Sequence, residues 1–411
     1  MKICLLSEYF YPDNMGSTGT VLSNLCRYLK DNYQDVDIDV ITSKNLYRGG
    51  ECCIPKEDWN GIRITRINCP PTKQESTVKR LLYGILFTKL AFWKLLFRTK
   101  YDIVFVVTNP PMLAEAAWWT KLFKHTPFVY LIHDLHPDVP VRLGSLPADG
   151  LIAGLSRLIQ NKWLHAADRV VVLGRCMKKY LGKAYHLPES RIEVITNWSD
   201  PDTVTPTDTN TKFRKENTLD GFVILYAGNL GKFQNFDDLL DAASTLSKIH
   251  PDITFAFVGE GAKKDYIRTR AEEMKLDNIR MFTHVPPEDL GDLLCSADVS
   301  IISLEPGMEG LGVPSKMYNI LASGRPIVAL LSKDSEVAMV LDEAKCGIQV
   351  DHGNPSALVD AFSRLYEDET LRSDMGKNAR SIFLEKYILP KIAEQYHETF
   401  LSILKANDNI A

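Results

Sequence analysis

Residues 298–326 read DVSIISLEPGMEGLGVPSKMYNILASGRP. The run DVSIISL is short, apolar and rich in β-branched residues, as suits a strand buried on both faces. At its carboxyl end come two carboxylates, Glu305 and Glu309, and a turn built on Gly310 and Gly312. Lys316 then stands at the head of an apolar stretch with helical spacing. A strand feeding a glycine turn and then a helix is one unit of a parallel α/β sheet, so the fold depends on how often that unit recurs.

It recurs along the whole chain. ICLLSEYF is followed by a Gly/Ser turn and the helical TVLSNLCRYLKDNY, then by DIDVITS, YDIVFVVTNP, PFVYLIHD, RVVVLG and RIEVITN. The polar stretch PDTVTPTDTNTKFRKEN (201–217) reads as a linker. GFVILYAGNLGK opens a second series that continues through ITFAFVGEG, NIRMFTHV, DVSIISLEP, PIVALLS and CGIQV. The expectation is two doubly wound α/β domains, residues 1–200 and 201–390, with a cleft between the carboxyl ends of their strands. Residues 391–411 form an amphipathic helix expected to pack back on the first domain. A chain of 411 residues agrees with two domains.

Composition narrows the function. With 45% apolar and 24% charged residues the chain is globular rather than disordered. A net charge of −4 argues against a general nucleic-acid binder. Eight scattered cysteines show no CxxC pair or Cys/His cluster, so no metal site is expected and a reducing compartment is. The start, MKICLLSEYFYPD, has too short an apolar run for a signal peptide, which points to the cytosol.

Several strand ends carry groups suited to an anionic ligand rich in hydroxyls. In NMGSTGT (14–20), Gly16 and Gly19 let backbone approach a ligand, and the helix that follows offers free N–H groups. AGNLGKFQN (227–235) supplies Gly228, Gly231 and the mobile cation Lys232, and Gly259 opens GEG. His133 and Asp134 follow directly on PFVYLI. Glu309 can accept from vicinal hydroxyls, Asn319 can donate and accept, and Lys316 can reach phosphate. Each has a plainer reading as a turn former, a solvated loop charge or a histidine closing the sheet edge. The combination asks for an anionic ligand that carries hydroxyls, such as a nucleotide sugar.

The segment KRLLYGILFTKLAFWKLLFRTK (79–100) carries six basic residues and no acid among Leu, Phe, Tyr and Trp. Lys89 and Lys94 interrupt it too often for a membrane span. It reads either as a helix lying on an anionic membrane surface or as one packed on its own sheet with solvated lysines. WWTKLFK (118–124) repeats the chemistry.

MGSTGT, HAADRVVVLG, VITNWSDP, YAGNLGK, FVGEGAKK and EGLGVPSKMYNILASGRP, in this order, resemble a family 4 glycosyltransferase of GT-B architecture. The likeness covers essentially the whole chain and is nearest to bacterial surface-polysaccharide fucosyl- and N-acetylfucosaminyl-transferases. It implies a retaining, metal-independent transfer from a nucleotide-diphosphate sugar, most simply a UDP-sugar, with no cofactor. The acceptor would be a polyprenyl-diphosphate-linked saccharide, met by a peripheral enzyme at the inner membrane face. On this resemblance Glu309 holds the donor sugar, and the backbone of Gly310, Leu311, Gly312 and Val313 binds that sugar or its phosphates. Val285 meets the base and Lys232 neutralises the leaving diphosphate. Gly228, Asn229, Gly231 and Gly259 line the donor loops. Gly16, Ser17, Thr18, Gly19 and His133 face the reacting centre, with Asp134 and Asn197 on the acceptor side.

The sequence departs from that family in two places. Two glutamates normally stand eight positions apart, whereas here Asn319, ten after Glu309, fills the second slot. The Arg and Lys usual in the glycine loop are replaced by Asn229 and Gln234, leaving charge compensation to Lys232 with Lys316. Double displacement needs a carboxylate nucleophile, for which Asp134 is the only contender, so a front-face route is expected. A sugar-nucleotide epimerase of the same architecture and a non-catalytic two-domain binding protein remain alternatives. A Rossmann dehydrogenase lacks its GxGxxG.

Overall fold

The computed structural model describes residues 1–13, 17–46, 50–52, 54–70, 77–98 and 100–408. The chain forms two compact units, Met1–Thr196 with Leu389–Ala411, and Asn197–Ile388. The sequence reading divides the chain after residues 200 and 390.

Unit 1 is built on one sheet of β1 (Lys2–Leu6), β2 (Asp37–Ser43), β3 (Lys56–Trp59), β4 (Ile62–Ile67), β5 (Ile103–Val107), β6 (Phe128–Ile132), β7 (Arg169–Val172) and β8 (Ile192–Val194). Their order is β3-β4-β2-β1-β5-β6-β7-β8. All neighbours are parallel except the edge pair β3–β4, an antiparallel addition that the sequence reading did not foresee. IVFVV and FVYLI are buried at every position because helices cover both faces of the central strands. The C-terminal helix Leu389–Asp408 belongs here. Its Tyr396 and Phe400 pack on Phe105, and His397 stacks on Tyr33 with ring centroids 3.9 Å apart.

Unit 2 carries β9 (Phe222–Ala227), β10 (Ile253–Val258), β11 (Ile279–Phe282), β12 (Val299–Ser303), β13 (Ile327–Leu330) and β14 (Gly347–Val350). The order β11-β10-β9-β12-β13-β14 is the 3-2-1-4-5-6 arrangement of a doubly wound sheet. Tyr226, Phe236, Phe255, Phe257 and Phe362 fill its core. The chain reverses direction across the sheet between β9 and β12, and the crevice beyond their carboxyl ends is where such folds bind ligands.

The expected linker 201–217 is instead structured. Val204 and Thr211 are buried and residues Lys212–Asn217 are helical. Arg214 pairs with Asp298, and Arg380 donates to the carbonyls of Pro201 and Val204. Pro and Thr read as solvated chain, but Arg380 and Arg325, far along the sequence, bind the segment's backbone carbonyls, and Arg214 anchors its helical end to Asp298.

Candidate functional site

In unit 2 the loops after β9 and β10 interlock through their glycines. Gly228 adopts φ +136° and Gly259 φ +154°. A Cβ at Gly259 would lie 1.9 Å from the Gly228 carbonyl oxygen, so loop packing itself requires glycine at 259, while Gly228 is favoured by its positive φ and by Lys316 close beside it. The Gly231 N–H donates to Gln234 Oε1 at 3.0 Å, while Asn229 and Lys232 are exposed.

From β12 the chain enters the stretch quoted at the outset. Glu305 is taken up by Lys263, whose Nζ also donates to the Gln234 carbonyl at 2.6 Å. This carboxylate therefore ties the β12 loop to the β9 loop. Gly310 sits at φ +80°, beside buried Leu311, and Gly312, Val313 and Asn319 are half-buried. Glu309 reaches the ends of the next two strands. Its Oε1 accepts from the Ser332 N–H at 3.4 Å and lies 3.9 Å from His352 Nε2. Neither ring nitrogen of His352 has a hydrogen-bond partner among the described residues. His352 and Ser332 were not singled out from sequence, although DHG directly follows the last strand, CGIQV. Val285 is half-buried just past β11, at the sheet edge.

Lys316 occupies the point where the chain reverses. Its Nζ lies 3.6 Å above the centroid of the Tyr226 ring and would be 3.1 Å from a Cβ at Gly228. The ammonium is shielded and has no hydrogen-bond partner among the described residues, and burial pulls its pKa down to about 7. An ammonium held over an aromatic face at a glycine loop has three unused donors, the arrangement that receives an anion.

In unit 1 the carboxyl ends of β1, β5 and β6 assemble a second group. His133 follows β6; its N–H donates to Thr108 Oγ1 at 3.1 Å and its Nδ1 lies 3.4 Å from Thr18 Oγ1. Nε2 has no hydrogen-bond partner among the described residues, and burial lowers the ring's pKa to about 4, so the imidazole is neutral at pH 7. Asp134 keeps an exposed edge, yet the surrounding protein raises its carboxyl to about 6. Gly19 is needed because a Cβ there would meet the Asp13 carbonyl at 2.8 Å. Ser17 begins the helix Ser17–Asn32, and Gly16 lies outside the described residues. Asn197, read with the first half, is buried and is the first residue of unit 2. Sequence reasoning also passed over Glu8, a buried carboxylate just past β1 that pairs with Arg80 at 3.4 Å and is raised by burial.

Two doubly wound α/β domains in this order are the GT-B architecture, which glycosyltransferases share with other nucleotide-sugar enzymes. Residues 18–203 match the model described as Glycosyltransferase Family 4, and residues 208–382 match that for Glycosyl transferases group 1. The probable glycosyltransferase WbjE of Pseudomonas aeruginosa is 30% identical over 288 residues, covering 70% of this chain and 71% of that one. The putative colanic acid biosynthesis glycosyl transferase WcaI of Escherichia coli K12 is 27% identical over 358 residues, covering 83% and 86%. The crystal structure of Anabaena Alr3699/HepE in complex with UDP superposes with a TM-score of 0.72 at 16% identity, covering 98% and 100%. The chain belongs to the family 4 glycosyltransferases.

Proposed function

We propose that this glycosyltransferase transfers a sugar, with retention and without a metal, from a UDP-sugar to a lipid-diphosphate-linked saccharide in surface-polysaccharide or lipopolysaccharide assembly. The observation that carries the reading is the unpartnered Lys316 ammonium at the reversal point of unit 2. Glu309 supplies a carboxylate for sugar hydroxyls two strands away. The colanic acid assignment of WcaI and the UDP held by HepE support the pathway and the base. A deoxy- or N-acetylamino-hexose is the sugar class to screen first.

In the front-face route the bond from the anomeric carbon to the diphosphate oxygen breaks while the acceptor oxygen bonds that carbon on the same face. The acceptor's proton passes to the departing diphosphate. Lys316, with Lys232 if its exposed chain swings in, neutralises the charge that develops there, an effect larger in a dry site than in water. Neutral His133, with Thr18 on Nδ1, offers Nε2–H or its lone pair to acceptor or sugar hydroxyls, and Asp134 adds a carboxylate beside it.

The acceptor places the enzyme at the inner membrane face, with the helix Thr77–Leu96 as the contact. No described helix is long and apolar enough to cross a membrane. The test is sugar transfer from a panel of UDP-hexoses to a polyprenyl-diphosphate-linked N-acetylhexosamine, with chelator present and the product's anomeric configuration read by NMR. An inverted product, or donor turnover to a free epimer with no acceptor, contradicts the proposal.

A further inference from the structure

Apart from Ile54, the large apolar side chains that unit 1 leaves in solvent among the described residues gather on or just beyond three of its helices. Helix Thr77–Leu96 exposes Leu82 and Leu86, then Trp93 and, just beyond its end, Phe97 at 80%. Helix Ala114–Lys124 exposes Trp119, Leu122 and Phe123. Helix Leu151–Ala166 exposes Leu151 at 93%, Ile152, Leu155 and Leu158 at 70%. The last set falls at i, i+1, i+4 and i+7, a single stripe along one helix face.

Topology puts these helices in one layer. They join β4 to β5, β5 to β6 and β6 to β7, steps that all run the same way across the sheet. Right-handed crossovers running in one direction place their helices on one sheet face. Phe92 meets Trp119 and Phe123 at ring-centroid distances of 6.5 and 6.0 Å. Lys162 lies 3.6 Å over the Trp118 ring, and Glu115 accepts from both Trp119 and Trp163. The C-terminal helix packs instead against the helix Ser17–Asn32 and on Phe105. The layer's outward surface is apolar beyond the single leucines any surface shows.

We propose that these three helices form one membrane-docking face, in which the stripe Leu151–Leu158 inserts among lipid chains while the basic helix Thr77–Leu96 sits at the headgroups. This rests on the membrane reading given above and extends it to a helix without that basic character. The bilayer is favoured over a second copy by charge. Residues 79–100 contain no acid, so two such faces packed about a twofold axis would press lysines together, whereas anionic lipid complements them. Arg80 and Arg98 are drawn inward to Glu8 and Asp39; of the lysines within the helix body, Lys89 is exposed and Lys94 half-buried. Both Leu81 and Leu151 lie early in helices that follow strand carboxyl ends, so the face reaches the sheet edge that carries His133 and Asp134. A lipid-linked acceptor would arrive at that edge.

The test is co-flotation of the full chain with vesicles of 3:1 phosphatidylcholine:phosphatidylglycerol at 0.1 and 0.5 M salt, with oligomeric state followed by sedimentation. Leu151→Ser/Leu155→Ser/Leu158→Ser, solvent-facing and so compatible with folding, is expected to lower partition at least tenfold at both salts. Lys89→Gln/Lys94→Gln is expected to lower it at 0.1 M only, since screening already removes that contribution at 0.5 M. A triple variant that floats like the wild type overturns the extended face while leaving the basic helix's role standing. A triple variant that only converts a dimer to a monomer overturns it in favour of a second copy. Wild-type protein that fails to float overturns the membrane reading and this face together.

Discussion

The Nζ of Lys316 stands 3.6 Å above the ring of Tyr226, the last aromatic residue of the strand where unit 2's sheet begins. The two residues lie 90 positions apart, and their meeting turns a reversal point common to many folds into a site with a sign. The ring face offsets part of the cost of burying the ammonium, and the remaining donors await an anion.

Lys316→Met should stabilise the protein at neutral pH. The ordinary lysine value is 10.5 and burial lowers it to about 7. Below pH 7 both folded and unfolded chains carry the proton and the burial penalty is fully present. Between about 7 and 10.5 the unfolded chain holds more protons, so wild-type stability rises with pH. Thermal melts should show Lys316→Met higher by about 2–5 °C at pH 6.5, with the gap closing towards pH 10. A wild type flat across that window contradicts the buried ammonium.

Gly259→Ala should be severely destabilising, because its Cβ would lie 1.9 Å from the Gly228 oxygen at a φ that L-residues avoid. A loss of about 2–4 kcal/mol in urea unfolding is expected. Gly353→Ala has a positive φ but open space, and should lose about 1 kcal/mol.

Glu309→Gln should separate sugar from nucleotide. Hydrogen bonds to a carboxylate contribute about 1.5–3 kcal/mol, so kcat/KM for the UDP-sugar should fall roughly 10- to 150-fold. Binding of UDP alone should stay within about twofold of wild type. Equal losses for both ligands would move Glu309 off the sugar.

Transfer should gain activity as Asp134 ionises. Its carboxyl is held near 6, above the usual carboxylate value, so kcat/KM should rise from pH 5 to about 6.5, beyond which loss of the Lys316 proton turns the profile down. Asp134→Asn should lack that limb of the profile. The neighbouring imidazole, held to about 4, stays neutral throughout and contributes no limb of its own.

Local periodicity made the two α/β units legible, since strands such as IVFVV and FVYLI are apolar throughout and each is followed by a turn and a helix. The glycine loops were legible too, but not their reason: Gly259 is demanded by the Gly228 backbone, a contact 31 residues away. Lys232 and Lys316 look alike in sequence, yet one is exposed and the other is held beneath the sheet edge. Glu305 and Glu309 also look alike, and only tertiary pairing gives the first to Lys263. His352 comes from the last strand and the 151–158 stripe from a helix with no unusual charge. Both became visible only when topology set them beside Glu309 and the basic helix.

Calorimetric titration of UDP into wild-type and Lys316→Met protein at pH 7, in two buffers of different ionisation enthalpy, tests the donor site most directly. The account predicts one site per chain in the wild type. It predicts proton uptake on binding, because a lysine half-deprotonated at pH 7 must be charged to meet diphosphate, and at least a tenfold loss of affinity in Lys316→Met. UDP that binds both proteins equally, with no buffer dependence, would contradict the assignment of Lys316 to the diphosphate.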